Sequence, residues 1–299
     1  MKPLYRQFAS QEEIDRAYDV EASVPDFMAH ARHFGDQSAL ARHRLKHRAD
    51  IPYGPTLAEY LDIFPAAEKG APVVLFLHGG YWRMLSAKDF SCVALGPVAD
   101  GFCLVNVNYA LCPAVTIDEI VRQARAALAW TFRNIEAHGG DPRRIVLAGH
   151  SAGAHLAAMC LAADWPGDYG LPAEIARGAL LVSGLYDLRP LPFSFVQPAL
   201  QLSWDQVMRN SPALAPARTD IPVTIAWGEA EPDEFRRQSA DFLEAWRLAG
   251  NQGQALTLPD ANHFAALYGM EAPDSTLCAA LRNLAGLPPA PRRRAALAH

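Results

Sequence analysis

The chain has 299 residues, of which 51% are hydrophobic and 20% charged, enough apolar material for one large core or two small ones. Its formal net charge is −5, which gives no reason to expect nucleic acid or an anionic membrane as a partner. The longest apolar run, Ala71 to Leu77, is far too short to span a bilayer.

The cysteines and the chain ends predict a cytoplasmic protein. The five cysteines are an odd number with irregular spacing and no C-x-x-C pair, which favours reduced thiols over a disulfide framework or a zinc site. Cys103 and Cys160 fall in predicted buried elements and are expected in the core. The first residues lack the apolar stretch of a secretory signal. The basic cluster Arg292–Arg294 lies in a Pro/Ala-rich tail, 288–299, which we expect to be solvated and mobile.

Residues 1–55 are predicted to form a helical segment that covers the main body. Ser10 to Glu13 is a capping box that opens a short helix. A second helical stretch, 24–46, is expected to break near Gly35, and Ile51–Gly54 is a predicted turn. The histidines of this region are expected at exposed polar positions: His30, His33, His43 and His47.

From Thr56 onwards the apolar pattern predicts a strand and then an alternation of strands and helices. The predicted strands after the first are 72–77, 102–107, 145–148, 179–183, 223–227 and 255–258. The predicted helices are 86–99, 117–138, 152–163, 234–248 and 275–284. Near-continuous apolar strands separated by helices indicate an α/β fold, in which a mostly parallel, doubly wound sheet carries helices on both faces.

No internal repeat or linker divides the main body, which we place at 56–287. A Pro-rich segment at 188–216 is predicted to be an irregular insertion. We expect this insertion and the N-terminal helices to lie over the carboxyl ends of the strands, because ligands of open α/β sheets bind there.

The most informative motif is Gly149 to Gly153, which fits the pattern G-x-S-x-G. A buried strand precedes it and a run of strong helix formers follows it. This strand, turn and helix would expose the hydroxyl of Ser151 at the edge of the sheet. The start of the helix would direct the N–H of Ala152 towards a developing oxyanion. The motif therefore predicts a nucleophilic serine.

A second glycine motif follows the strand 72–77. The loop from His78 to Trp82 contains Gly79 and Gly80, whose lack of side chains would let main-chain N–H groups approach a substrate. We predict that these two glycines and Ala152 form an oxyanion hole. We expect His78 to fix this loop by a side-chain hydrogen bond rather than to transfer protons.

Acyl transfer by a serine also needs a base and a carboxylate that orients it. His263 directly follows the last predicted strand and is the candidate base. Glu231 follows the strand 223–227 and is the preferred acid, with Asp233 second. Glu229 is also nearby, and Asp187, after the preceding strand, is a third alternative that more simply caps a loop or helix.

Aromatic residues near strand ends or in the insertion could form a pocket for an aryl amide or ester. Tyr186 and Trp204 could equally pack the insertion onto the sheet. The sequence has no H-E-x-x-H, P-loop or other metal-ligand or cofactor motif, so no cofactor is expected. The candidate substrate-binding residues are Tyr81, Trp82, Tyr186, Trp204 and Phe264.

These motifs resemble the α/β-hydrolase superfamily and, within it, the kynurenine formamidase (arylformamidase) group near the hormone-sensitive-lipase-like esterases. The most specific strings are H-G-G-Y-W at His78 to Trp82 and E-F-x-R-Q-S at Glu234 to Ser239. The resemblance implies Ser151 as nucleophile, His263 as base and Glu231 as acid, where the group usually has Asp. It also implies cleavage of N-formyl-kynurenine to formate and kynurenine.

Three classes of function remain. The first is a formamidase-type serine hydrolase, the second a carboxylesterase or other amidase with the same machinery, and the third a non-catalytic α/β-hydrolase that binds ligands. The complete motif set disfavours the third class. The expected partner is a small amide or ester substrate. The sequence leaves open whether the protein is a monomer or a homodimer, and whether the N-terminal helices form a lid, an interface or a covering layer.

Overall fold

The computed structural model describes residues 3–289, which contain eight strands and ten α-helices. The strands are β1 (Arg48–Pro52), β2 (Tyr60–Phe64), β3 (Ala71–Leu77), β4 (Cys103–Val107), β5 (Gly140–His150), β6 (Gly178–Val182), β7 (Val223–Gly228) and β8 (Gly253–Leu258). The helices are α1 (Gln11–Tyr18), α2 (Phe27–Arg44), α3 (Leu95–Ala99), α4 (Ile117–Asn134), α5 (Ala152–Leu161), α6 (Trp165–Tyr169), α7 (Gln197–Leu200), α8 (Trp204–Arg209), α9 (Asp233–Leu248) and α10 (Thr276–Leu284). The 3₁₀ segments are Ala87–Ala94, Ile135–His138, Leu191–Phe193 and Ala265–Glu271. The cluster Arg292–Arg294 lies outside the described residues.

All eight strands form one sheet in the order β1-β2-β4-β3-β5-β6-β7-β8. The six strands from β3 to β8 run parallel to one another, and β2 pairs antiparallel with both β1 and β4. This confirms the predicted mostly parallel sheet. The carboxyl ends of β3, β5, β6, β7 and β8 therefore meet at one edge, where a ligand site is expected.

The two faces of the sheet bury two separate apolar layers, because successive side chains of a strand point to opposite faces. Val73 and Leu75 belong to one layer together with α4, α5 and α9. Val74 and Phe76 belong to the other, with α10 and the segment Ala87–Ala94. Both faces are covered, which explains why the central strands are apolar throughout. Cys103 and Cys160 are fully buried, as predicted.

The N-terminal region differs from the prediction in three respects. Helix α2 runs unbroken through Gly35, so the predicted break is wrong. The first half of the expected turn at Ile51–Gly54 belongs instead to the edge strand β1, which lies inside the segment predicted as helical. Among the histidines of this region only His43 is exposed. His30, His33 and His47 are half-buried.

Several predicted boundaries also shift. The expected helix 86–99 is a 3₁₀ segment followed by the short α3, and the expected helix 117–138 ends as α4 at Asn134, where a 3₁₀ turn continues. The insertion 188–216, predicted as irregular, contains α7 and α8 and a 3₁₀ turn. Short helices of this kind are set by tertiary packing rather than by a long apolar period.

Helix α1 is fixed to α9 by a buried polar network centred on Tyr18. The Tyr18 hydroxyl donates to Glu234 Oε2 at 2.8 Å and accepts from Gln238 Nε2 at 3.0 Å. Arg237 pairs with the same glutamate at 2.7 Å. The Tyr18 carbonyl in turn accepts from the Tyr81 hydroxyl at 2.5 Å. The E-F-x-R-Q-S string therefore attaches the N-terminal segment to the main body.

We expect Tyr18→Phe to lower the free energy of unfolding by about 0.5–1.5 kcal/mol, because Glu234 and Gln238 each lose one buried hydrogen bond while they keep their contacts with Arg237 and the Asp187 carbonyl. Urea denaturation monitored by tryptophan fluorescence measures this loss. Tyr60→Phe is the matched control, since the Tyr60 hydroxyl makes no hydrogen bond within residues 3–289. Equal stability of the two variants would contradict the assigned role of the network.

Candidate active site

The serine of the G-x-S-x-G motif lies on a sharp turn between β5 and α5. Ser151 has φ 55° and ψ −121°, a conformation that persists only where the surrounding structure enforces it. Its backbone N–H donates to the carbonyl of Val182 in β6 at 2.9 Å. The serine is almost completely buried and lines a cavity at the carboxyl edge of the sheet. This is the geometry expected of a nucleophile elbow.

Glycines make this turn possible. A Cβ on Gly153 would clash with the carbonyl of Leu77 at the end of β3, and one on Gly149 would clash with the carbonyl of Gly153. A Cβ on Gly79 would lie 3.2 Å from Cβ of Ser151. Because these positions lack side chains, the loop after β3 packs directly against the serine turn.

His263 and Glu231 form a buried pair after β8 and β7. His263 Nδ1 lies 2.8 Å from Glu231 Oε2. The other carboxylate oxygen, Oε1, accepts from the Ser183 hydroxyl at 2.6 Å and from the Gly228 N–H at 2.7 Å. These contacts fix the carboxylate, which in turn directs Nδ1–H of the imidazole towards it and leaves Nε2 available as a base.

The alternative acids lie elsewhere. The Asp233 side chain is 91% exposed and pairs with Arg236. Glu229 is exposed. Asp187 accepts two hydrogen bonds from the Arg189 guanidinium, at 2.8 and 2.9 Å. Of the four candidates, Glu231 alone contacts the imidazole.

Ser151 and His263 line the same cavity, without a direct hydrogen bond within the described residues. Hydrogen bonds between catalytic groups are often long before substrate binds, so this arrangement is compatible with proton transfer. The backbone N–H groups of Gly79, Gly80 and Ala152 donate to no protein acceptor among residues 3–289. His78 donates from Nδ1 to the Gly79 carbonyl at 2.7 Å and so holds the loop, as predicted.

A second histidine supports the loop that carries His263. His150 donates from Nε2 to the His263 carbonyl at 2.8 Å, and the centres of the two rings are 4.7 Å apart. Burial lowers the pKa of His150 to about 3, so its imidazole is neutral at neutral pH. Its Nδ1 is buried without a hydrogen-bond partner in the part of the chain that the structure describes. Sequence reasoning did not assign a role to this residue.

The cavity beside Ser151 has a volume of about 240 Å³. Its wall is formed mainly by apolar side chains from α2, the loop after β3, the segment Ala87–Ala94 and the His263 loop. Tyr81 and Phe264 are part of this wall, where the sequence analysis placed them. Phe264 packs against Phe27 of α2, with ring centres 5.3 Å apart.

Three predicted pocket residues lie outside the cavity wall. Trp82 is fully buried and packs edge-on against His155. Tyr186 is fully buried and stacks on Phe242 of α9, with ring centres 4.2 Å apart. Trp204 is 53% exposed at the start of α8. These residues lie near strand ends or in the insertion, as the sequence indicated, but none of the three side chains lines the cavity. No residue of the insertion 188–216 lines the cavity either.

Sequence reasoning missed the cavity residues that α2 contributes. Phe27, Ala31 and Phe34 lie on one face of this helix and line the cavity. Their spacing of four and three residues is that of an apolar helical stripe, the signal that could have identified them. Phe90, Met84 and other residues after β3 complete the wall. Residues 3–289 contain no group of three or more His, Cys, Asp or Glu side chains placed to hold a metal ion.

Comparison with known proteins agrees with this architecture. The BD-FAE family model matches residues 61–164. A crystal structure of a proposed thioesterase from Silicibacter sp. TM1040 superposes with a TM-score of 0.79 and 28% identity, over 90% of this chain and 98% of that chain. The carboxylesterase EstE1 from a metagenomic library has a TM-score of 0.69 at 20% identity, over 88% and 98% of the two chains.

Curated relatives include formamidases and an esterase. The kynurenine formamidase of Danio rerio is 33% identical over 225 residues, 73% of this chain and 75% of that protein. That of Salmo salar is 35% identical over 227 residues, 72% and 74% of the two proteins. Esterase LipQ of Mycobacterium tuberculosis is 30% identical over 285 residues, 82% and 67% of the two proteins.

The fold and the serine turn define an α/β-hydrolase, a hydrolase of amide or ester bonds. Within that superfamily the chain belongs to the kynurenine formamidase family. Among the described residues, no helix combines the length and the apolar character that crossing a membrane requires.

The buried histidines around the site predict a steep loss of stability in acid. Burial lowers the pKa of His78 and His155 to about 4 and that of His150 to about 3, from an ordinary value of 6.5. Below pH 6.5 the unfolded chain therefore binds protons that the folded chain excludes. Each histidine then removes about 1.4 kcal/mol of stability per pH unit until its folded pKa is reached.

We expect His155→Gln to reduce the slope of unfolding free energy against pH between pH 6 and 5 by about 1.4 kcal/mol per unit. His155 is suited to the test because its Nε2 donates to the Asn210 carbonyl, and a glutamine retains an N–H donor. Urea denaturation at several pH values measures the slope. His43→Gln, at an exposed position, is the control, and an unchanged slope in the His155 variant would refute the prediction.

Proposed function

We propose that this protein is a serine hydrolase that cleaves aryl amides through an acyl-enzyme, with N-formyl-kynurenine or a related N-formyl aryl amine as substrate. The observation that carries the proposal is the buried pair His263–Glu231 beside the cavity that also contains Ser151. A hydrolase of this fold needs a nucleophile, an oriented base and oxyanion donors at one site. Ser151, His263 and the unpaired N–H groups supply candidates for each role.

In the proposed mechanism His263 Nε2 takes the proton of the Ser151 hydroxyl as Oγ attacks the substrate carbonyl. Glu231 accepts the Nδ1–H hydrogen bond and stabilises the imidazolium that forms. The oxyanion of the tetrahedral intermediate is bound by N–H groups of Gly79 or Gly80 and of Ala152. These donors need no rearrangement of existing protein hydrogen bonds, since they have no acceptor within residues 3–289.

The imidazolium then protonates the leaving amine as the carbon–nitrogen bond breaks, and an acyl-enzyme remains on Ser151. A water molecule, deprotonated by His263, attacks this ester in the second half of the reaction. The proton returns to Ser151 when the serine leaves, and the acid product departs. For a formyl substrate the products are formate and the free aryl amine.

The aryl substrate is supported by the character of the cavity. Phe27, Phe34, Phe90 and Phe264 line it, and these apolar rings suit an aromatic leaving group. A volume of about 240 Å³ is small and suits a substrate with a single aromatic ring. Membership of the kynurenine formamidase family supports the formyl group as the acyl part.

A short-chain carboxylesterase is the second candidate. Esterase LipQ, 30% identical over 285 residues, favours it, and the apolar cavity contains no group that requires an amide. The proposed site residues are the same for both reactions. The two candidates differ in the acyl and leaving groups that the cavity accepts.

We also propose a cytoplasmic location, because Cys92, Cys103, Cys112, Cys160 and Cys278 are all free and buried. Burial raises the pKa of the Cys103 and Cys160 thiols to about 12, which keeps them protonated and unreactive. Whether the protein is a monomer or a homodimer stays a prediction.

The test is hydrolysis of N-formyl-kynurenine alongside p-nitrophenyl esters from acetate to octanoate. A kcat/KM for the formamide far above that for the esters supports the formamidase proposal. Ester cleavage without formamide turnover moves the protein to the esterase candidate. Ser151→Ala should lose all but about 10⁻⁴ of the activity on whichever substrate is cleaved, and full activity in that variant would refute both.

We expect Glu231→Gln to lower kcat by about 10³–10⁴-fold, because an amide cannot stabilise the imidazolium and can impose the wrong tautomer. Asp233→Asn is the matched control and should change kcat by less than about 2-fold, since its side chain is solvent-exposed. Steady-state kinetics on the preferred substrate measure both. A mild Glu231 variant with a severely impaired Asp233 variant would make Asp233 the acid.

A further inference from the structure

The acidic side chains that line the cavity have no basic counterparts in its wall. Glu21 and Asp89 line it, and no lysine or arginine does. Both carboxylates belong to exposed residues at the rim. His150, which also lines the cavity, is neutral because burial lowers its pKa.

Neither rim carboxylate is neutralised by a cation. Asp89 Oδ2 accepts from the backbone N–H and the hydroxyl of Ser86, both at 2.8 Å, so its partners are uncharged. Glu21 has no ion-pair partner among residues 3–289. Burial is the main cause of the raised pKa of the Tyr81 hydroxyl at the cavity wall, the charges of Asp19 and Glu21 raise it further, and the charge of Arg83 lowers it.

Of the three cations closest in sequence to the cavity residues, two are paired with carboxylates and the third, Arg83, lies outside the cavity wall. Lys88 Nζ lies between Asp50 and Asp62, 2.8 Å from each. The Arg32 guanidinium pairs with Asp26 at 3.4 Å. That of Arg83 lies 5.7 Å from the centre of the Phe195 ring, and Arg83 is not part of the cavity wall. An anionic substrate group at the mouth would therefore meet two carboxylates of the cavity wall, whereas Arg83, which has no ion pair among residues 3–289, is not part of that wall.

We propose that the cavity selects aryl amide or ester substrates without a carboxylate and favours those that carry an ammonium group. This inference rests on the proposed function and concerns the charge of its substrate. It implies that the carboxylate of N-formyl-kynurenine weakens binding, whereas its ammonium group strengthens it. The protein would then act best on the decarboxylated aryl formamide.

The test compares three formanilides with the same aryl ketone. They are 2′-formamidoacetophenone, which is neutral, the decarboxylated amine of N-formyl-kynurenine, a cation, and its deaminated acid, 4-(2-formamidophenyl)-4-oxobutanoate, an anion. At low ionic strength we expect kcat/KM to fall in the order cation, neutral, anion, by about tenfold per step for a charge a few ångströms from the rim. The steps should shrink in 0.5 M salt, because exposed charges are screened.

Glu21→Gln should reduce the ratio of kcat/KM for the cationic substrate to that for the anionic substrate several-fold. Glu21→Lys should reduce this ratio further or invert it. Glu12→Gln and Glu12→Lys are matched controls, because Glu12 is an exposed glutamate on α1 outside the cavity wall. These should leave the ratio unchanged. The inference would be overturned if the unmodified protein had a higher kcat/KM for the anionic substrate than for the cationic one. It would also be overturned if the substitutions of Glu21 left the ratio unchanged.

The controls separate this inference from the proposed function. If Ser151→Ala abolishes turnover of all three formanilides but the order is reversed, the charge inference fails and the hydrolase stands. If formanilides are not cleaved, phenyl acetate, 4-(aminomethyl)phenyl acetate and 4-carboxyphenyl acetate provide the same three charges on an ester, with the same expected order. No turnover of either series would remove the proposed function and the inference with it.

Discussion

The close contact between the loop after β3 and the serine turn is the constraint on which the site depends. Gly153 packs against the Leu77 carbonyl at a distance that leaves no room for a side chain, and Gly79 packs against Ser151 so closely that a Cβ would make a tight contact. An ordinary residue at position 153 would force the end of β3 away from α5. The same contact places the main chain of Gly79 beside the serine, so the strained turn and the candidate oxyanion donors are set by one packing arrangement.

The N-terminal segment completes this arrangement. Helix α2 supplies Phe27 and Phe34 to the cavity wall, and α1 is held against α9 through Tyr18. The Tyr81 hydroxyl donates to the Tyr18 carbonyl, which joins the loop after β3 to the end of α1. The strings H-G-G-Y-W and E-F-x-R-Q-S therefore meet at Tyr18, and both hold the N-terminal cover in place in this chain.

The sequence predicted the sheet well, because the central strands are buried on both faces and read as unbroken apolar runs. The prediction failed where the interactions that determine the local structure leave no periodic apolar pattern in the sequence. Strand β1 is largely exposed and is defined by pairing with β2, which leaves no apolar pattern. Gly35 does not end α2, because a cost of about 1 kcal/mol is outweighed by burial of Phe34 and Ala41 on the same helix. The surroundings of Trp204 depend on tertiary packing, which one sequence does not reveal.

Glu231, the proposed acid, stands where the resemblance to the formamidases implies an aspartate, and hydrogen bonds hold both of its carboxylate oxygens. Glu231 spans from Ser183 and the Gly228 N–H on one side to the His263 imidazole on the other, so both oxygens have fixed partners. The acid and base loops are also joined by their main chains, through hydrogen bonds from Glu229 to Leu258 and from Ala230 to Ala261. The carboxylate and the imidazole are consequently held by one pair of loops that hydrogen bonds join.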